Sequence, residues 1–167
     1  VLAGGGALSV LTSSDRLRAY LVIVGTAAGI VGIDHVTKWL VVQHLPVQGQ
    51  LLPDSPISIT HVQNRGAAFG ILPQFQWLYL GAAVIVALYI LLAGHRYGTS
   101  PFRQVVLGMI LGGAVSNGFD RLTQGYVVDF IDLHRWPVFN VADMSIVVGI
   151  LLAIFTFSAR SPRASPS

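Results

Sequence analysis

The chain has 167 residues, 53% of them hydrophobic and only 10% charged, with a mean hydropathy of +0.69; about 25% charged residues is usual in a soluble domain, so the composition is that of a membrane protein. The formal net charge is +3, but the ten basic residues are scattered singly and form no continuous face for nucleic acid. Cysteine is absent, excluding disulfide scaffolds, thiolate metal sites and cysteine nucleophiles, and all seven acids are aspartates, excluding glutamate-based mechanisms such as the H-E-x-x-H metalloprotease.

In chain order, residues 1–15 are small and faintly polar without a basic n-region. They read as a disordered cytoplasmic tail rather than a cleavable signal peptide. The first apolar window runs from about residue 20 to 42 and ends in D-H-V-T-K-W. Asp34 and Lys38 are four apart in the favourable order, on one helical face. Residues 43–74 follow, rich in proline and glycine, with an alternating stretch ISITHV that predicts a short strand. Within this connection lies Q-N-R-G-A-A-F-G, which places amide donors, an arginine and permissive backbone together.

A second window spans about 75–93, and the turn GHRYGTSP leads to a third over about 102–119. Gly25 and Gly29, and again Gly108 and Gly112, stand in the spacing that lets helix backbones approach closely in lipid. The third window closes on G-G-A-V-S-N-G-F-D-R, where Asp120 faces the negative end of a helix dipole. The next residue, Arg121, either relieves that charge or grips a ligand group.

Next comes YVVDFIDLH, where apolar neighbours would desolvate Asp129 and raise its pKa. If the stretch is extended, Asp132 points to the opposite face. The fourth window, about 141–157, opens on F-N-V-A-D. With Asn140 as N-cap, Asp143 falls in the first turn, where the dipole favours negative charge. Each window is long enough to cross most or all of a roughly 30 Å hydrocarbon core.

These readings predict one integral membrane domain over residues 1–167, with spans at about 20–42, 75–93, 102–119 and 141–157 and a second disordered tail at about 159–167. Arg16, Arg18, Arg96, Arg103, Arg160 and Arg163 fall on one side, which the positive-inside rule makes cytoplasmic, together with both termini. Trp39, Trp77 and Trp136 fall on the other, as an interfacial belt. Six of the seven aspartates lie on or near that outer side. Two carboxyl groups in contrasting surroundings there suggest an acid and base pair sharing one proton, able to activate water against a peptide carbonyl. Asp143 is the expected base and Asp129 the expected acid.

D-H-V-T-K, N-R-G-A-A-F-G, G-G-A-V-S-N-G-F-D-R, V-V-D-F and F-N-V-A-D, in this order across four hydrophobic windows, resemble lipoprotein signal peptidase (signal peptidase II). The resemblance implies an all-α bundle of four transmembrane helices with a small extracytoplasmic β-rich region, the β-cradle, between the first two, and a lid in the same connection. It implies a bacterial plasma-membrane aspartyl endopeptidase that cuts diacylglyceryl prolipoproteins just before the lipidated cysteine, with no cofactor or metal. By motif, Asp129 and Asp143 would be the catalytic dyad. Asn64, Gly66, Asn117, Asp120, Arg121 and Asn140 would line and brace the site, with Asp34 and Lys38 in support. The expected partners are the prolipoprotein and membrane lipids, and the chain is expected to be a monomer. His35 stands where the family commonly has glutamine.

Other classes fit less well. Intramembrane acids also mark ion pathways, but here they cluster at one face instead of crossing the bundle, which weighs against a proton-coupled transporter or channel. Ser116 with His134 would suit a serine mechanism, yet Ser116 lacks the G-x-S-x-G context. His35, His44, His61 and His134 are scattered rather than spaced as metal ligands.

Overall fold

The computed structural model describes residues 12–66, 76–97 and 100–158. Residues 1–11 and 159–167 of the expected tails, and residues 67–75, which hold part of the N-R-G-A-A-F-G block and the end of the connection expected to carry the lid, lie outside the described residues. Four α-helices are present: α1 (Ser13–His44), α2 (Gln76–Ala93), α3 (Pro101–Thr123) and α4 (Val141–Ser158). Three short strands, β1 (Gln50–Leu51), β2 (Ser58–Asn64) and β3 (Val127–Asp132), form one antiparallel sheet in that order.

The helix α1 begins before the apolar window, so residues 13–15 are helical instead of tail. The cause is a capping box: the Thr12 hydroxyl accepts the Asp15 N–H at 3.1 Å, and the Asp15 carboxylate accepts the Thr12 N–H at 3.1 Å. At about 1.5 Å per residue, its 32 residues exceed the thickness of a bilayer core. Its inward stripe runs Ala19, Ile23, Ala27, Asp34, Lys38 and Val41, small or aliphatic residues first and charged ones near the sheet.

That stripe packs on α3, the central helix, which also contacts α2 and α4. A Cβ at Gly108 would sit 2.7 Å from the Ile23 carbonyl oxygen, and one at Gly112 would sit 2.8 Å from that of Ala27. Only glycine allows α1 so close. On the neighbouring face, a Cβ at Gly113 would collide with the Ala142 carbonyl oxygen and Ser145, bringing the start of α4 against α3. Gly25 and Gly29 behave otherwise: a Cβ at either would meet nothing within 4 Å. The second G-x-x-x-G is thus a packing seam, whereas the first faces outward.

Two described helices, Ser13–His44 and Trp77–Tyr97, are long and apolar enough to cross a membrane, and Val141–Phe157 is apolar but shorter. The helix α3 is less apolar because it carries Gln104, Asn117 and Asp120, all buried against its neighbours. Outward-facing apolar side chains are abundant, among them Leu21, Ile85, Leu92, Ile154 and Phe155. Such a surface suits lipid and is costly in water.

The sheet caps one end of the bundle. The expected strand ISITHV overlaps β2 from Ser58 onward, but the sheet is not confined to the connection between α1 and α2, since β3 comes from the connection between α3 and α4. Gly125, at φ 77°, turns the chain out of α3 and into β3. In β3 the buried residues alternate: Val128 and Phe130 join Val41 and Leu45 in an apolar cluster, while Val127 and Asp129 line a cleft on the other side. That alternation delivers one carboxyl group to the cleft.

Candidate active site

The start of α4 is fixed from two directions. The Asn140 side-chain oxygen accepts the Asp143 N–H at 2.8 Å, and the Asp143 carboxylate accepts the Asn140 N–H at 3.3 Å, closing a capping box. From α1, Asp34 accepts the Ala142 N–H at 2.9 Å. Two of the N–H groups that a helix start leaves without partners are thus satisfied, one by a carboxylate from another helix.

Asp34 is fully buried and also accepts the Ser116 hydroxyl at 2.6 Å and the Lys38 ammonium at 2.5 Å. Lys38 donates in addition to Asp120 at 2.6 Å and to the Asn117 side-chain oxygen at 3.1 Å, using all three of its N–H donors. The cation in direct contact with Asp120 at the end of α3 is therefore Lys38, 82 residues away, and the adjacent Arg121 acts on it only through space. His35 stands beside them, its Nε2 3.5 Å from Asp120.

Asn117 carries this network to the cleft. Its oxygen accepts from Lys38 and, at 3.2 Å, from the Asn140 amide; its own amide donates to Asp143 at 2.7 Å. Asn140 in turn donates to Asp129 at 2.7 Å, so this one residue contacts both carboxyl groups. The other oxygen of Asp129 accepts the Asn64 amide at 2.8 Å. The register of β2 on β3 explains this contact: Val62 pairs with Asp129, and Asn64 lies two residues further along the same face. The Asn64 oxygen accepts the Gly66 N–H at 2.9 Å, holding the chain where it leaves the strand.

Arg121 lies on the far wall. It donates to the carbonyl oxygens of Asn117 at 3.2 Å and Gly66 at 3.1 Å, and its guanidinium is 5.6 Å from the centre of the Tyr79 ring. All ten residues marked as candidates in the sequence thus gather at one end of the bundle. Asp132 does not: it accepts the Thr60 hydroxyl at 3.1 Å on the sheet. Ser116 and Tyr79 were missed as supporting residues. Ser116 lay inside a marked block, but Tyr79 carried no local signal.

Asp129 is 1% exposed, and burial first, then the nearby Asp143 charge, pushes its carboxyl from 3.8 up to about 7. Hydrogen bonds from Asn64 and Asn140 and the Lys38 charge oppose the shift but do not cancel it. Burial thus lets this group keep its proton well above the usual carboxylate range.

The carboxyls open on a cleft of about 650 Å³. Its polar end comprises Asn64, Asn117, Arg121, Asp129 and Asp143, and its apolar wall includes Ala82, Ala83, Ile110, Ala114, Val147 and Ile150. From Asp143 to Ile150 the wall descends about 10 Å along α4. The arrangement can hold an extended polar backbone beside the carboxyls and hydrocarbon below them.

The serine alternative finds no support in the geometry. Ser116 donates its proton to Asp34 and lies apart from His134, which contacts Ser55 and Ser58. Among the described residues, no three His, Cys, Asp or Glu side chains are grouped as metal ligands would be.

Comparison with known proteins places the chain in a family. The family model described as Signal peptidase (SPase) II matches residues 26–159. The lipoprotein signal peptidase of Syntrophomonas wolfei is 40% identical over 126 residues, covering 75% of this chain and 85% of the relative. That of Moorella thermoacetica is 41% identical over 131 residues, covering 74% and 83%. A bacterial membrane enzyme solved by the in meso method at 2.3 Å resolution superposes with a TM-score of 0.76 at 27% identity, over 89% of this chain and 92% of that one. A second such structure, at 1.9 Å resolution, gives 0.74 at 28% identity, over 83% and 94%. The chain belongs to the signal peptidase II family.

Proposed function

We propose that this protein removes signal peptides from diacylglyceryl prolipoproteins by aspartyl chemistry, with Asp129 and Asp143 as the dyad. The observation that carries the reading is the pair of carboxyl groups held by one asparagine, Asn140, at the mouth of a cleft that is polar above and apolar below. An ionised Asp143 takes a proton from water as its oxygen attacks the scissile carbonyl. A protonated Asp129 donates to the carbonyl oxygen. As the tetrahedral diol collapses and its C–N bond breaks, Asp143 passes its proton to the leaving amine and Asp129 recovers one from a diol hydroxyl, so the dyad again shares one proton. Arg121 and the asparagine amides hold the substrate backbone or lipid ester, placing donors where negative charge develops. The apolar wall takes hydrocarbon. No step requires a metal or organic cofactor.

In this reading the chain is one membrane domain and α1 to α4 are all spans, since the 23 residues of α3 and 18 of α4 reach about 35 and 27 Å. Arg16, Arg18, Arg96 and Arg103 lie at the end opposite the sheet, which the positive-inside rule makes cytoplasmic. Both termini then face the cytoplasm and the dyad lies near the extracytoplasmic face of a bacterial plasma membrane. Exposed Trp39, Trp77 and Trp136 mark that interface. The chain works as a monomer, bathed in lipid.

The test is cleavage in detergent of a diacylglyceryl prolipoprotein, with the unlipidated form as control. Cleavage of the lipidated form alone, unaffected by EDTA, is expected. Loss of activity with EDTA and its recovery with zinc would refute the aspartyl mechanism; equal cleavage of both forms would refute lipid recognition.

A further inference from the structure

The connection from β3 to α4 is closed at its base, where the Ile131 N–H donates to the Phe139 carbonyl at 2.8 Å and the Phe139 N–H to that of Ile131 at 3.1 Å. Leu133 to Val138 therefore stand out as a flap. Leu133, Trp136, Pro137 and Val138 line the cleft. The flap's inner face is thus part of the surface a substrate would meet.

Residue 134 fixes this flap. Asp132 accepts the Thr60 hydroxyl at 3.1 Å and the His134 N–H at 2.7 Å, and the chain then turns through His134 at φ 62°. That uncommon conformation directs the imidazole across to the β1–β2 connection. Its Nε2 lies 2.7 Å from the Ser55 carbonyl oxygen and 3.2 Å from the Ser58 hydroxyl.

Serine, histidine and aspartate here do not form a second hydrolytic centre. A carbonyl oxygen only accepts, so Nε2 must carry the proton and cannot take one from Ser58. Ser58 is also fully buried and receives the Gln50 amide at 3.0 Å. Since the neutral Nε2–H tautomer and the imidazolium both donate from Nε2, the contact with Ser55 survives in either charge state. In the imidazolium, Nδ1, 3.9 Å from Asp132, adds a second attraction.

We propose that His134 is a positioning residue for substrate binding: a latch that ties the Leu133–Val138 flap to the β1–β2 connection and so holds one wall of the cleft. The inference rests on the reading that the cleft binds the lipidated substrate. Without the latch the flap samples more conformations, and binding must repay that lost order. The chemical step, carried by Asp129 on β3 and Asp143 on α4, both outside the flap, is unaffected.

The experiment compares wild type, His134→Ala and His134→Gln as full chains in detergent, by steady-state cleavage of a diacylglyceryl prolipoprotein and by amide hydrogen exchange. For His134→Ala, loss of one hydrogen bond raises KM about fivefold with kcat within about twofold, and exchange quickens across residues 133–138. Glutamine, which carries an N–H at a similar reach from Cβ, restores most of both. A fall in kcat at unchanged KM, or unaltered exchange across the flap, overturns the proposal. If the wild-type chain does not cleave, the proposed function fails instead, and the exchange measurement still decides whether the latch exists.

Discussion

Lys38 is the cation that makes two buried carboxylates tolerable, and the geometry ranks substitutions around it. In Lys38→Met, Asp34 and Asp120, 0% and 4% exposed, lose their counter-charge; removing one partner of a buried pair costs about 3–5 kcal/mol. In Asp34→Asn the lysine keeps Asp120 and Asn117, and the new side-chain oxygen still accepts the Ala142 N–H. The Ser116 hydroxyl, which donates to the replaced oxygen at 2.6 Å, can rotate to accept from the new amide, so the net loss is the charge-assisted hydrogen bond from Lys38, about 1.5–3 kcal/mol. The double variant removes the unpaired Asp34 charge that makes Lys38→Met so costly, so its destabilisation falls short of the sum by about 1 kcal/mol or more. Equilibrium unfolding in mixed dodecyl sulfate micelles, followed by circular dichroism, measures all three. Strict additivity, or Asp34→Asn costing more than Lys38→Met, would refute the reasoning that Lys38 balances both carboxylates.

The raised Asp129 pKa has a definite sign. Stability from its retained proton is fully present below about pH 3.8 and is lost as pH rises through about 7, so the wild type should be more stable at pH 5.5 than at pH 8 and Asp129→Asn should show less of that difference. Activity should decline above about pH 7 as Asp129 loses its proton, which a pH–rate profile on wild type checks. Gly113→Ala, which drives a methyl into the Ala142 carbonyl and Ser145, should cost about 1–3 kcal/mol and lower kcat by displacing the start of α4. Gly25→Ala, with open space around it, should instead stabilise the helix by about 0.5–1 kcal/mol in the same unfolding assay.

What the sequence made legible was mostly local. Apolar windows located the helices, alternation located β2, and the Asn140–Asp143 spacing located the cap that starts α4. The pairing of β2 with β3 was not legible, because Val62 and Asp129 are joined only by the fold; with it went the reason why Asn64 touches Asp129. Lys38 looked like half of a pair because only Asp34 is near it in sequence, while Asp120 and Asn117 arrive on another helix. Two glycine pairs of identical spacing differ in role for the same reason. Spacing sets which face carries the glycines, and the neighbour that covers the face comes from elsewhere in the chain.

The most direct test of the dyad is single substitution of each carboxyl group, Asp129→Asn and Asp143→Asn, in the lipidated-substrate cleavage assay, with folding followed by circular dichroism. Each variant should retain its helical signal and lose cleavage by at least about 100-fold, the scale of a positioned acid or base. Near-wild-type turnover in either folded variant would contradict the assignment.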